Sequence, residues 1–246
     1  MSLDIVRKQR LHPDKYFDTD TSKSQIYLHH TVGGSAASTI GWWNTSKIRV
    51  GTSYVVDVNG VVYEVFPPEK WAYHLGLKTN FNKQANMQSI GIEICSEGAL
   101  RDGGELNAML MQKGLKGRMR DDFLYAFDIN PNAAKNPMQW FKGAKPLYHI
   151  LHDSDLFVKF EEGYRDYMYF DAYNPEQLTS VFELVKYLCE KFNIPKQLIP
   201  HEDKTTFDIS LALDFKGILT HANVRRDKSD VHPAFPWSKM LEFIKE

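Results

Sequence analysis

The sequence predicts a single α/β domain on three observations: short β-rich runs with period-two alternation, one strongly amphipathic helical segment, and alternation of the two types along 246 residues. That length exceeds the commonest domain size of about 100–150 residues but is ordinary for one elaborated α/β domain. Hydrophobic residues make up 43% and charged residues 25%, which supplies apolar surface for a core and argues against disorder. Thirty basic residues stand against thirty-one acidic ones, a formal charge of -1. Bulk charge therefore gives no support to a nucleic-acid or anionic-membrane partner. No stretch approaches the roughly 20 apolar residues of a membrane span, and MSLDIVRKQRLHPDKYF lacks the apolar centre of a signal peptide. The expectation is a chain made and kept soluble. The two cysteines, Cys95 and Cys189, sit in apolar runs and read as core thiols rather than a disulfide.

The elements follow in order. SQIYLHHTV, residues 24–32, is a short strand ending in two histidines and a threonine, followed by a flexible GGSAAS segment. STIGWWNTSK then reads as a short helix capped by Ser38 or Thr39, with Trp42 and Trp43 directed to the core. TSYVVDVNGVVYEVF is a hairpin turned at Asn59-Gly60. In SIGIEICSE, residues 89–97, Ile90, Ile92 and Ile94 alternate with Gly91, Glu93 and Cys95. Period two places Glu93 on the face opposite the isoleucines. Residues 99–167 differ in texture, Gly-rich and charged first and aromatic and hairpin-like later, and read as an insertion within one domain spanning 1–246.

The clearest helix starts at Asn174, a good N-cap followed by Pro175 and Glu176. Leu178, Val181, Phe182, Val185, Leu188 and Phe192 recur at three- and four-residue steps and aim an apolar stripe at a sheet. Asn193 and Pro195 end it. The chain closes with GILTHANV, a polar loop RRDKSD and an amphipathic segment from Trp237.

Polar residues at strand ends are the candidates for chemistry. A catalytic zinc site takes three protein ligands from His, Asp, Glu or Cys and keeps one position open. His29 and His30 are adjacent on a strand, so only one of them faces a given site. His221 and Asp230 bracket a polar loop flanked by the apolar runs GILT and PAFPW, as a buried site requires. By composition alone, Arg225, Arg226, Asp227, Lys228 and Asp230 read equally well as a solvated, self-neutralising cluster.

Six ordered segments resemble the type 2 N-acetylmuramoyl-L-alanine amidases, related to phage lysozyme-like amidases and peptidoglycan recognition proteins. They are IYLHHT, YVVDVNGVVYEV, WAYHLG, QSIGIEI, YNPEQLTSVFELVKYLCEKFNIP and THANVRRDKSDVHPAFPW, covering most of residues 24–98 and 168–243. The resemblance implies one mixed central β-sheet flanked by helices, and Zn2+ bound by His29, His221 and Asp230. It further implies Glu93 and Lys228 as catalytic residues, with His74 and Asn86 contacting substrate at the groove. The implied partner is peptidoglycan or its muropeptides, cut between N-acetylmuramic acid and L-alanine by a monomeric enzyme. Some relatives carry a tyrosine followed by histidine entering the hairpin strand, where counting back from Gly60 finds Thr52 and Ser53. Tyr54 lies two positions away, which shifts weight onto Glu93.

Two other functions fit the same fold. A recognition protein binds peptidoglycan without cutting it once a metal ligand is lost, but here the ligand set is complete. A regulatory module would instead contact another protein through residues 99–167. In the cell, the expectation is cytoplasmic synthesis with action on the wall after holin-type lysis or dedicated export, as for an endolysin.

Overall fold

The computed structural model describes residues 3–33, 35–99, 157–165 and 167–246. Eight strands are present among them: β1 (Ile5–Val6), β2 (Gln25–His30), β3 (Tyr54–Val56), β4 (Val62–Glu64), β5 (Ser89–Ile94), β6 (Phe157–Tyr164), β7 (Tyr167–Asp171) and β8 (Gly217–Thr220). The helices are α1 (Ala36–Thr45), α2 (Asn82–Met87), α3 (Pro175–Phe192), α4 (Ile209–Asp214) and α5 (Trp237–Lys245). Six strands form one mixed sheet in the order β1-β4-β3-β5-β2-β8, with β3 and β4 antiparallel and every other neighbouring pair parallel. The expected α/β class and helix-flanked mixed sheet are what the backbone adopts.

Period two decides which side of the sheet each residue serves. Ile26, Leu28, Ile90, Ile92 and Ile94 face α3 and α5, packing with Val181, Leu184, Val185, Leu188, Met240 and Ile244. On the opposite side, Tyr27 and Leu219 pack with Leu75, Ala85 and Ala212, and Val55 and Cys95 pack with Ile40 and Trp43 of α1. Both cysteines are free and buried, as expected. The helical stripe read from Leu178 to Phe192 lies against the isoleucine face, and Asn193 ends α3 in the left-handed region at φ 54°.

One capping expectation needs correction and one is met. The N-cap of α1 is Ser35, whose Oγ accepts from the Ser38 amide at 3.2 Å. The helix starts earlier than expected because Ala36 and Ala37 extend it backwards at no side-chain cost. Asn174 does occupy the N-cap of α3, but its Nδ2 donates to Val58 O at 2.8 Å. It therefore ties the helix to the β3–β4 turn rather than capping its own first turn. Gly60 in that turn has φ 81°, and a Cβ there would come within 2.8 Å of Glu176 O. Both the turn and the close approach of α3 require glycine.

Of the segment expected as an insertion, residues 100–156 and 166 lie outside the described residues. The hairpin expected toward its end is present as β6 and β7, an antiparallel pair forming a separate two-stranded sheet. Among the described residues, no helix is long and apolar enough to cross a membrane.

Leu188 is fully buried between α3 and the sheet. Leu188→Ala should lower unfolding free energy by about 2–5 kcal/mol, the cost of lost transfer energy plus a cavity. Urea denaturation should show this as a lower midpoint at unchanged slope.

Candidate metal centre

The sheet brings two of the expected residues together directly. β2 lies between β5 and β8, parallel to both, with His29 opposite Glu93 and Leu28 opposite Thr220. Residues opposite one another in a parallel pair present their side chains to the same face, so His29 and Glu93 share a side. Both lie near the C-terminal ends of parallel strands, where an α/β sheet opens into loops. His30 points the other way and places Nδ1 3.3 Å from the Tyr173 hydroxyl, a packing role.

The other two triad members come from the turn after β8. The Thr220 amide donates to Asn223 Oδ1 at 2.8 Å, and Asn223 Nδ2 donates to Lys204 O (2.9 Å) and Thr206 O (2.8 Å). A 3-10 turn, His221–Asn223, is anchored in this way. Thr220 Oγ1 donates to Asp230 O at 2.5 Å and accepts from the Val231 amide, while the Ala222 amide donates to Asp230 O at 3.0 Å. The RRDKSD loop therefore returns its last residue onto its first neighbour. Within that loop Arg225 and Asp227 form an ion pair, Nε to Oδ1 at 2.9 Å. The hydrogen bond to Arg225 holds Asp227 down to about 2. The self-neutralising cluster is thus confined to this pair, and Lys228 and Asp230 turn to the cleft.

His29 Nδ1, His221 Nδ1 and Asp230 Oδ2 form a triangle with sides of 3.0, 3.2 and 2.9 Å. These residues are 2%, 5% and 6% exposed. Among the described residues, they are the one group of His, Cys, Asp or Glu side chains with three converging ligand atoms. Zinc–ligand bonds of about 2.0–2.1 Å in a tetrahedron separate neighbouring ligand atoms by about 3.3 Å, so the triangle fits one face of such a site. Burial pushes the His29 imidazole below its usual range, reinforced by His221. Burial alone would raise the Asp230 carboxyl, but the two histidines hold it well below the carboxylate range. Neutral imidazole beside an ionised carboxylate is the donor state a metal requires.

Each histidine has a partner on its far nitrogen. His221 Nε2 lies 2.9 Å from Leu75 O, which only accepts, so Nε2 carries a proton and Nδ1 is the nitrogen turned to the triad. His29 Nε2 lies 3.0 Å from His74 Nδ1. His74, half-buried, thus lines the cleft directly against a triad residue. Asn86 stands elsewhere than expected. It is fully buried, with Oδ1 accepting from the His74 and Leu75 amides at 2.7 and 3.1 Å and Nδ2 donating to Asn82 O at 2.6 Å. With both ends of its amide engaged, it braces residues 74–75 from beneath and has no face toward substrate.

The triad opens into a cleft of about 600 Å³ that Glu93, Lys228, His74, Thr52 and Trp42 also line. Burial raises the Glu93 carboxyl to about 8, with the Asp230 charge adding to the shift and Lys228 opposing it. Among the described residues, its Oε2 has no hydrogen-bond partner. A carboxyl poised this way can exchange a proton near neutral pH. Trp42 is 63% exposed, which corrects the expectation that both tryptophans are core. Adjacent helical residues project about 100° apart, so Trp43 is buried in the core while Trp42 stands exposed at the cleft. The doublet itself was the available signal. The tyrosine departure holds spatially: Tyr54 is fully buried and its hydroxyl donates to Glu64 at 3.1 Å. His201 pairs with Asp208 and His232 stacks on Tyr173, both away from the triad, while His149 and His152 lie outside the described residues.

Among solved structures, the chain is similar to a mutant endolysin from Bacillus subtilis at 13% identity, covering 99% of each chain with a TM-score of 0.49. It is similar to the amidase LysC from Clostridium intestinale URNW at 14% identity, covering 98% of this chain and 95% of that one, with a TM-score of 0.45. The E. coli amidase AmiD, solved with a substrate of anhydro-N-acetylmuramic acid and a short peptide, matches at 15% identity over 90% of this chain and 57% of its own, with a TM-score of 0.47. Comparison with curated proteins returns no match. The family model described as N-acetylmuramoyl-L-alanine amidase matches residues 20–232, a span containing the whole triad, and the chain belongs to that family of peptidoglycan amidases.

Proposed function

We propose that the protein hydrolyses the amide between N-acetylmuramic acid and L-alanine with a zinc ion held by His29 Nδ1, His221 Nδ1 and Asp230 Oδ2. The observation that carries this reading is the convergence of those three buried donor atoms in a cleft that Glu93 and Lys228 also line. When bound, zinc polarises the amide carbonyl and lowers the pKa of its water toward about 7. Glu93 takes a proton from the attacking water and returns it to the amine that leaves with L-alanine, a double role suited to a carboxyl raised toward neutrality. Lys228 offers an ammonium to the oxyanion that develops at the carbonyl, and its loop is held by the Thr220 and Asp230 contacts before substrate arrives. Trp42 gives the substrate an aromatic wall beside the reacting bond. We read the protein as a monomer whose one domain spans 1–246, with peptidoglycan as its partner and lysis of the wall as its role.

The direct test is mass analysis of products from purified sacculi with and without a chelator. Stem peptides with free L-alanine amino termini, released from intact glycan only without chelator, are expected; glycan fragments, or cleavage indifferent to chelation, would sink the reading. Asp230→Ala removes a charged ligand and should abolish both stoichiometric zinc and turnover, measured by metal analysis and product release. Glu93→Gln should keep zinc and lower kcat by about 10²- to 10⁴-fold. Lys228→Met should keep zinc and lower kcat by about 10²- to 10³-fold with KM little changed. Glu93 also sets a pH signature in the metal-free protein. Its folded pKa of about 8 lies above its ordinary 4.5, so the folded state binds more protons in that window and stability falls as pH rises through it. Glu93→Gln cancels this loss, and the melting-temperature advantage of the variant in chelator should grow from pH 4.5 to above 8.

A further inference from the structure

We propose that His74 is a positioning residue for the metal centre, fixing through its Nδ1 which nitrogen of His29 faces the metal and how that ring is aimed. This rests on the reading of the triad as a zinc site. A continuous set of contacts runs from the triad into α2: His29 Nε2 to His74 Nδ1 at 3.0 Å, His74 Nε2 to Ser89 Oγ at 2.9 Å, and Ser89 Oγ to Ala85 O at 2.7 Å.

The direction of every link follows from the far end. Ala85 O is a carbonyl and only accepts, so the single hydroxyl proton of Ser89 lies on that contact; two oxygens 2.7 Å apart without a proton would repel. Ser89 Oγ then meets His74 as an acceptor, and His74 Nε2 carries the proton. An imidazole that carries its one N–H proton on Nε2 offers Nδ1 as an acceptor, and His74 Nδ1 stands 3.0 Å from His29 Nε2. His74 Nδ1 is therefore a bare lone pair, and the contact with His29 requires a proton on His29 Nε2. His29 Nδ1 is left unprotonated, facing His221 Nδ1 and Asp230 Oδ2.

The neighbouring residue does the same for the second histidine, because Leu75 O accepts from His221 Nε2. Residues 74 and 75 thus select the metal-facing nitrogen of both ligands, one by side chain and one by backbone. Asn86 pins both of their amides. Space for the His74 ring comes from Gly91 on β5, where a Cβ would stand 3.1 Å from His74 Nδ1 and 2.6 Å from Thr52 Cγ2. Both ring nitrogens of His74 are engaged within the protein.

Metal-free protein is titrated with zinc in competition with a chromogenic chelator, for wild type, His74→Leu and His74→Asn. Loss of an outer partner of this kind lowers metal affinity by about 10–100-fold, the result expected for Leu. Asn places an acceptor where Nδ1 stood and should recover most of that affinity. In nitrogen-15 spectra of the metal-free protein, a protected His29 Nε2–H signal is expected in wild type and the Asn variant and absent in the Leu variant. Equal zinc affinity in wild type and Leu variant, or a proton on His29 Nδ1 in metal-free wild type, would overturn the role of His74 alone. Failure of the wild type to bind zinc would overturn the zinc site with it. If the Leu variant does not fold, Ser89→Ala serves: the His74 Nε2–H signal should vanish, and its persistence would overturn the proposed order of donors.

Discussion

The parallel register of β2 between β5 and β8 is the constraint on which the site depends. Pairing of His29 with Glu93, and of Leu28 with Thr220, brings one triad ligand, the proposed proton carrier and the start of the His221 turn to one edge of the sheet. A slip of one residue in β2 would send the His29 side chain into the isoleucine face and out of the triad. The core prevents this slip, since Ile26 and Leu28 are fully buried against α3 and α5. Hydrophobic packing on one face thereby holds polar geometry on the other.

Polar residues packed behind the cleft keep that geometry from relaxing. His29 Nδ1, His221 Nδ1 and Asp230 Oδ2 converge to within 3.2 Å of one another, the arrangement a bound cation would draw on. The structure holds them there through neutral hydrogen bonds to groups that are themselves fully committed. Asn86 fastens residues 74–75, Asn223 fastens the His221 turn, and Thr220 fastens the returning Asp230 segment. Each is a short, rigid side chain with both donor and acceptor or a single hydroxyl, able to satisfy buried backbone groups without bringing charge. The cleft side carries the opposite character: Glu93 has an oxygen unpartnered among the described residues, and Trp42 exposes its ring. Stability resides beneath the triad, and the reactive, unsatisfied groups lie above it.

How far the site was legible in the sequence depends on the kind of residue. His29, His221 and Asp230 became candidate ligands through the resemblance carried by the ordered segments around them, since composition alone read the RRDKSD loop equally well as a solvated cluster; strand alternation assigned Glu93 its face, and the resemblance its role. Asn86 was misplaced because a buried asparagine satisfying two backbone amides and one that binds a sugar have the same letters and similar surroundings. His74 was found, but its contact with His29 joins residues 45 positions apart through side-chain geometry. Ser89 stood inside a recognisable strand segment, yet nothing local marks its hydroxyl as the end of a hydrogen-bonded chain.

By itself, the sequence determined the α/β class, the apolar stripe of α3, the Asn59-Gly60 turn, and the order in which metal-binding residue types occur. These depend on periodicity and local backbone preference, which are properties of contiguous residues. Tertiary structure alone decided which nitrogen of each histidine faces the triad, which tryptophan is exposed at the cleft, and that Asn86 serves the backbone. Those outcomes depend on directional hydrogen bonds and burial between segments far apart in the chain, and such contacts exist only once the sheet register has brought the segments together.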